Sequence, residues 1–433
     1  MRLNQGNPDL SGKTEAPANA VKTRLVVVLL LLLVYFLQVA TPLRLHPDTV
    51  KLLSIAETVE HGGGFLFHGY ATQQPPGYPA LVAILIRLHL AHVWVLVAIN
   101  MIFLTIGLLA FRRIVESEFG GDFPVFQVCV LSLLSVVLIK YSAIPLTDTV
   151  FFGVSMSCLA AMNQPTSSRL DLRRAAVSVA LLVASVCLRR IGIALIPALL
   201  YALIFRADLR CYIARLSFRV KAFGILTAAL VAIAVAFAVR ITTMLWYFKV
   251  GLGADSAMVA AHGLLNFRLT ELGEMAVNLP YTACPTIVQR ALPFIGALAF
   301  LLVLGGIASR RKRFSAVDVY FLSYLAVLLV WPFYDPRFWL PVIPLLIAYC
   351  GLSLRQLAQR GIARQILNGY LFLFAAVGLV TLTLNTAVSF SGASFTDMYP
   401  EYHATYCAAW HCKEGFDAAK VDQDALRLLR DYK

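Results

Sequence analysis

The chain has 433 residues, of which 60% are hydrophobic and 14% charged, and its formal net charge is +14. A soluble domain carries about 25% charged residues, so this composition excludes one, and the mean hydropathy of +0.77 assigns most of the chain to hydrocarbon. The positive balance reads as a topology signal and not as a nucleic-acid site. The basic residues sit in short loops between apolar runs, with no Gly-rich phosphate loop, zinc-finger spacing or long basic stretch.

In chain order, residues 1–24 begin polar and rich in Pro, Gly and Asn, which predicts a disordered cytoplasmic N-terminus. The run Leu25–Ala40 lacks a small-residue cleavage site and reads as an uncleaved first span, 25–41. A polar stretch, 42–77, follows. The run Tyr78–Leu90 is shorter than the roughly 20 residues that cross a bilayer, and it reads as a re-entrant or interfacial helix feeding a second span, 93–111.

Further apolar runs predict spans at 124–141, 147–162, 175–188, 191–205 and 222–247, then a long loop, 248–289. Spans at 291–308, 317–333, 338–354 and 366–388 complete a transmembrane domain over 25–388, and a short polar tail occupies 389–433. The expected fold is an all-α integral membrane bundle of about eleven helices. Basic clusters at 112–113, 169–174, 206–221, 310–313 and 355–364 then share the face of the N-terminus, which is cytoplasmic by the positive-inside rule. Loop 42–77, turn 142–148, loop 248–289 with turn 334–337, and the tail lie on the outer face.

Polar residues without a topological reason concentrate on that outer face. The stretch His46-Pro47-Asp48-Thr49, then 50–61, then Gly62-Gly63-Gly64 predicts a short amphipathic helix, with Asp48 at the N-cap and Gly62 at the C-cap. Leu52, Ala56 and Val59 share one face, as on a helix lying on the outer membrane surface. A cap can also be catalytic, since both roles need a fixed carboxylate.

Pro75-Pro76-Gly77-Tyr78-Pro79 cannot continue a helix and predicts a rigid turn, either a plain helix start or one wall of an outer cavity with Tyr78 at the water boundary. Asp148 sits at the outer mouth between two spans, where an acid is costly unless it faces water, caps a helix or meets a partner. Arg189, Arg190 and Arg337 lie on the outer face against the charge bias, and Lys140 is a weaker case. A cation so placed suits an anionic lipid phosphate, and Arg matches phosphate oxygens with its fork. The bland alternative for Arg337 is pairing with Asp335, or snorkelling to headgroups.

Among the cysteines, Cys129, Cys158, Cys187 and Cys350 read as packing residues in apolar runs. Cys407 and Cys412 lie in the polar tail, spaced for a local disulfide in an oxidising compartment, with Cys284 a competing partner.

The order of an acid in the first outer loop, a Pro-Pro-Gly-Tyr-Pro turn, an acid between the third and fourth spans, and Asp335-Pro336-Arg337-Phe338 before a Pro-rich span resembles the GT-C membrane glycosyltransferases. The nearest branch is the group of protein O-mannosyltransferases and lipid A aminoarabinose transferases (glycosyltransferase families 39 and 83). The resemblance covers about residues 25–355.

It implies an inverting hexosyl- or pentosyltransferase that moves a sugar from a polyprenyl-phosphate donor to a lipid, glycan or protein acceptor on the outer face of a bacterial inner membrane. Asp48 matches the catalytic base or metal-facing acid, and Asp148 the second acidic position. Arg337 and Arg189 or Arg190 match basic residues for the donor phosphate, with Tyr78, Tyr334 and Lys140 as further substrate contacts. A divalent metal, if used, would face Asp48 and Asp148; no nucleic-acid partner is expected.

Two departures bear on the acceptor: Asp48 has no acidic neighbour before Glu57, and the tail is too short for a soluble domain. Competing readings are a lipid or sugar transporter or flippase, which would more often show inverted repeats and charges at the membrane midplane, and a polysaccharide polymerase or ligase centred on Arg268, Glu271 and Glu274 of the long loop.

Overall fold

The computed structural model describes residues 18–120, 123–163, 172–206, 257–331, 333–357, 361–390, 400–410, 412 and 415–432. In chain order the helices are α1 (Ala18–Leu37), α2 (Pro47–Glu60), α3 (Gly77–Arg87), α4 (Val93–Glu118), α5 (Val125–Leu133), α6 (Val136–Ser142), α7 (Thr147–Met162), α8 (Leu172–Leu188) and α9 (Leu195–Arg206). Next come α10 (Ala257–Val277), α11 (Thr286–Ser309), α12 (Ala316–Leu329), α13 (Ile343–Leu357), α14 (Gly361–Ser389), α15 (His403–Trp410) and α16 (Gln423–Asp431). A two-stranded antiparallel hairpin, β1 (Leu66–Phe67) and β2 (Tyr70–Ala71), pairs Phe67 with Tyr70. His68 and Gly69 take φ of 51° and 79° at its turn, the left-handed pair that a two-residue hairpin requires.

Among the described residues, five helical segments are long and apolar enough to cross a membrane: Lys22–Ala40, Val93–Glu118, Thr286–Ser309, Pro336–Gln356 and Gly361–Ser389. Helices α5 and α6 would make a sixth as one span bent by 57°. The described residues alone therefore do not confirm the expected count of about eleven. The reason is length: α7 and α12 have 16 and 14 residues, below the roughly 20 that a straight crossing takes. The expected span 222–247 lies outside the described residues, as do residues 1–17 of the expected N-terminal segment. The lipid-like exposure of α1 and α14 is plain: Leu25, Leu29 and Leu33 on one, and Phe372, Leu373 and Leu384 on the other, stand open.

Two expectations change with the fold. The long loop 248–289 contains α10, which runs against α11. Glycines permit the close approach: a side chain at Gly296 would collide with the Leu269 backbone, and one at Gly273 with that of Leu292. The α2 helix does not lie on the membrane with its apolar face in lipid. Leu52, Leu53 and Ala56 are buried in the protein, against α3 and, at the far end, the tail helix α16.

The ends of α2 explain its register. The N-cap is His46 and not Asp48: the His46 Nδ1 accepts from the Asp48 amide at 3.2 Å, and Asp48 sits in the first turn. At the other end Gly62 adopts φ 79°, with its amide on the Val59 carbonyl at 3.1 Å and the Gly63 amide on Thr58 at 2.9 Å. That is the left-handed glycine stop the sequence calls for. The tail also folds: Cys407 and Cys412 form a disulfide, while Tyr406 accepts from the Leu45 amide at 2.7 Å and so ties α15 to the chain just before α2.

Candidate active site

A cavity of about 380 Å³ opens between the first turns of α2 and α7, the end of α8, the Pro-rich turn and the segment 333–338. Asp48, Asp148, Arg189, Arg190, Tyr334 and Arg337 all line it. These residues lie on separate loops in sequence, and the fold brings them to one place. Tyr78 and Lys140 do not line it. Tyr78 follows the turn into α3 and is buried at 1% exposure; Lys140 lies over the Tyr141 ring at 5.2 Å. The Pro-rich turn itself is a wall through Gln73, Gln74 and Pro75. Gly77 lets it sit on the end of α8, since a Cβ there would lie 2.8 Å from the Cys187 carbonyl oxygen.

Each charged group in the cavity is held by a named neighbour. Arg337 donates to the Asp48 carboxylate and lies 2.6 Å from Asp335 through Nε. Arg189 pairs with Asp148, and Arg190 donates to the Gln73 carbonyl. Asp148 caps nothing: the N-cap position of α7 is Leu146. Asp148 is 1% exposed, while the Asp48 side chain is 34% exposed, so of the two Asp48 is the more open to the cavity. The turn before α7 is fixed by Asn100, whose amide donates to the carbonyls of Ser142 at 3.0 Å and Ile144 at 2.7 Å. The Phe338 ring lies between both guanidiniums, 5.0 Å from Arg189 and 5.3 Å from Arg337.

Burial raises the Asp48 carboxyl, and the Arg337 guanidinium more than reverses this, so its pKa falls below the ordinary carboxylate value. Burial and then Arg337 push His46 from its ordinary 6.5 down to about 4. A neutral His46 is what its geometry requires, since Nδ1 accepts from the Asp48 amide.

Behind the cavity lies a group that sequence reading assigned to a competing hypothesis. Arg268 and Glu271 of α10 form a pair at 2.7 Å with both side chains 0% exposed. Glu271 accepts from the Asp335 amide at 2.7 Å and from the Trp339 indole at 2.8 Å, and Arg268 donates to the Phe333 carbonyl. This pair fastens both ends of the segment that carries Asp335 and Arg337. Lys51, one turn beyond Asp48, was not anticipated either; it lines the cavity. The carboxylates of Asp48, Asp148 and Asp335 thus meet Lys51, Arg189, Arg190 and Arg337, and cations outnumber anions. The remaining wall is apolar, including Ile191, Ile193, Leu328 and Phe338.

The chain is similar to the solved structure of ArnT from Cupriavidus metallidurans bound to undecaprenyl phosphate, at 14% identity over 96% of this chain and 75% of that one, with a TM-score of 0.46. It is similar to the Archaeoglobus fulgidus oligosaccharyltransferase AglB in complex with an inhibitory peptide and a dolichol-phosphate, at 14% identity over 94% of this chain and 60% of that one, TM-score 0.45. A mycobacterial arabinofuranosyltransferase, AftD, matches at 17% identity over 89% of this chain and 28% of that one, TM-score 0.33. These are GT-C glycosyltransferases, the group whose motifs the sequence resembles. No family model and no curated protein sequence matches the chain.

A metal would need free ligands at Asp48 and Asp148. Both carboxylates are engaged by arginine, and among the described residues no group of three or more His, Cys, Asp or Glu side chains is placed to hold an ion. As placed among the described residues, these two carboxylates do not form a metal centre.

Proposed function

We propose that the chain is an inverting glycosyltransferase that takes a sugar from a polyprenyl-phosphate donor and transfers it to an acceptor hydroxyl at the outer face of the membrane. The cavity carries this reading: a half-buried carboxylate and an excess of cations share one space with an apolar wall. Undecaprenyl phosphate and dolichol-phosphate, named with two of the similar structures, belong to the donor class proposed.

In the reaction, the acceptor oxygen attacks the anomeric carbon, its proton passes to the Asp48 carboxylate, and the bond from that carbon to the phosphate oxygen breaks with its electron pair leaving on phosphate. Arg337, Arg189, Arg190 and Lys51 supply the charge that stabilises the leaving group. Single displacement inverts the anomeric centre. Asp148, buried on Arg189, positions that guanidinium. The donor phosphate competes with Asp48 for Arg337, and its arrival frees the carboxylate to accept a proton.

The oxidising, outer-face assignment is supported by the tail. The Cys407–Cys412 disulfide belongs to an oxidising compartment. The tail reaches α2 through Arg427 and Glu57 at 2.8 Å, so the disulfide and Asp48 share a side of the membrane. The N-terminus and the basic clusters then face the cytoplasm, with 25–388 as the transmembrane transferase domain and 389–433 as an outer tail.

The test is sugar transfer by the purified protein from synthetic polyprenyl-phosphate sugars, with anomeric configuration of the product read by NMR. Retention in the product would rule out the single displacement.

A further inference from the structure

The outer tail grips the helix that carries Asp48 at both of its ends. The first contact is made on residues 42–46, which link the first span to α2 and form neither helix nor strand. Leu43, Arg44 and Leu45 are buried all the same, so their backbone groups need partners that no ladder supplies. One side chain supplies two of them. The Tyr406 hydroxyl of α15 donates to the Leu43 carbonyl at 3.0 Å and accepts from the Leu45 amide at 2.7 Å. Between these two, Arg44 donates to Ser389 Oγ at the end of α14 at 2.6 Å.

Tyr406 is itself fixed. It is 0% exposed, its ring stacks on Trp410 at 5.0 Å, and the next residue forms the Cys407–Cys412 bridge. The Asp422 amide donates to Thr405 Oγ1 at 3.1 Å and so joins α15 to the start of α16. From α16, Arg427 reaches Glu57 in the last turn of α2 at 2.8 Å.

Only His46 and Pro47 stand between Leu45 and Asp48. His46 caps α2 with Nδ1 on the Asp48 amide, and the ring of Pro47 fixes its own φ. A shift of the clamped segment therefore passes directly to the Asp48 carboxylate, whose partner Arg337 belongs to a different part of the chain. The charged and titratable groups around Asp48 are His46 and Lys51 on its own segment, Asp335 and Arg337 from 333–338, Arg189 from the end of α8, and Tyr402 of the tail, whose hydroxyl feels the Asp48 charge.

We infer that Tyr406 is a positioning residue for Asp48: through the segment before α2, the outer tail holds the carboxylate against Arg337. Its role in catalysis rests on the proposed transfer reaction with Asp48 as base; the placement itself does not.

The experiment compares the full wild-type chain with Tyr406→Phe and Arg427→Gln in detergent by two readouts. The first is titration of the Asp48 carboxyl by infrared spectroscopy, its band assigned by difference from Asp48→Asn. Arg337 holds that carboxyl below the ordinary carboxylate value, so displacement in Tyr406→Phe raises the midpoint. A merely structural weakening of the tail lowers the melting temperature and leaves the midpoint where it was. The second readout is sugar transfer, in which kcat falls about tenfold. Arg427→Gln removes a half-exposed ion pair that contributes little stability. It moves both readouts the same way by a smaller factor, and decides the matter where Tyr406→Phe does not fold. Lys420→Ala, on the open side of the tail, moves neither. An unchanged Asp48 midpoint in the folded variants, or an unchanged kcat beside a raised midpoint, overturns the inference. A wild type that transfers no sugar discards the transferase reading, and the midpoint alone then decides the placement.

Discussion

Arg337 donates to Asp48 across 289 positions of sequence, and the same guanidinium reaches Asp335 at 2.6 Å. One cation thus serves two carboxylates, and an anion entering the cavity competes with Asp48 for it. Arg337→Met should cut kcat/KM at least tenfold and also lower the melting temperature, because two carboxylates lose a charge-assisted partner. Arg337→Lys keeps the charge without the fork, and should recover stability more than activity. Parallel thermal melts and transfer assays decide it: full activity in the lysine variant would contradict bidentate use of Arg337.

The buried Arg268–Glu271 pair predicts a large single-mutant cost. Removing one partner of such a pair costs about 3–5 kcal/mol, whereas replacing both with apolar residues is far milder. Glu271→Met should therefore destabilise the chain more than the double variant Arg268→Met/Glu271→Met does, as read by melts in detergent. Any activity lost in the double variant would come from release of the Asp335 amide and the Phe333 carbonyl.

Acid should destabilise the fold through His46. Its pKa drops from 6.5 to about 4 on folding, so the unfolded chain binds more protons between those values and stability falls as pH falls through that window. The Asp48 carboxyl, also lowered, adds a contribution that is present above the ordinary carboxylate pKa and lost at still lower pH. Melting temperatures from pH 8 to pH 4 should decline below about 6.5, and His46→Gln should flatten the upper part of the decline. A wild-type curve level between 6.5 and 4 would contradict the buried neutral histidine.

The Cys407–Cys412 bridge closes a short loop, and Cys407→Ser should cost about 2 kcal/mol or less. In whole cells a membrane-impermeant maleimide should label Cys412 in that variant above the level of the wild type, in which Cys187 and Cys284 are free thiols but Cys412 is blocked until reduction. Labelling that required membrane permeabilisation would reverse the assigned orientation.

The apolar runs and the Pro75–Pro79 turn were legible in the sequence because lipid and proline impose strong, local signals. The convergence of Asp48, Asp148, Arg189, Arg190, Tyr334 and Arg337 on one cavity was legible because each was a charge or polar group without a topological reason. The α10 helix was not, since it buries polar residues such as Arg268 and Glu271 against protein and so resembles a polar loop in composition. Lys51 was hidden because the apolar face of α2 looked lipid-bound, which would have turned its other face to water. Tyr78 was misplaced for a different reason: closeness to a motif in sequence does not decide which way a helical side chain points; Lys140, singled out only as a cation against the charge bias, does not line the cavity. His46 capping α2 was hidden by Asp48, a commoner cap two residues on.

Sugar transfer from a panel of synthetic polyprenyl-phosphate sugars, comparing wild type with Asp48→Asn, decides whether the chain is a glycosyltransferase with Asp48 as its base. The wild type should transfer sugar and the variant should lose about 10²–10⁴-fold, with the melting profile still that of a folded protein. Equal transfer by both would remove Asp48 from the chemistry, and no transfer from any donor would contradict the assignment as a glycosyltransferase.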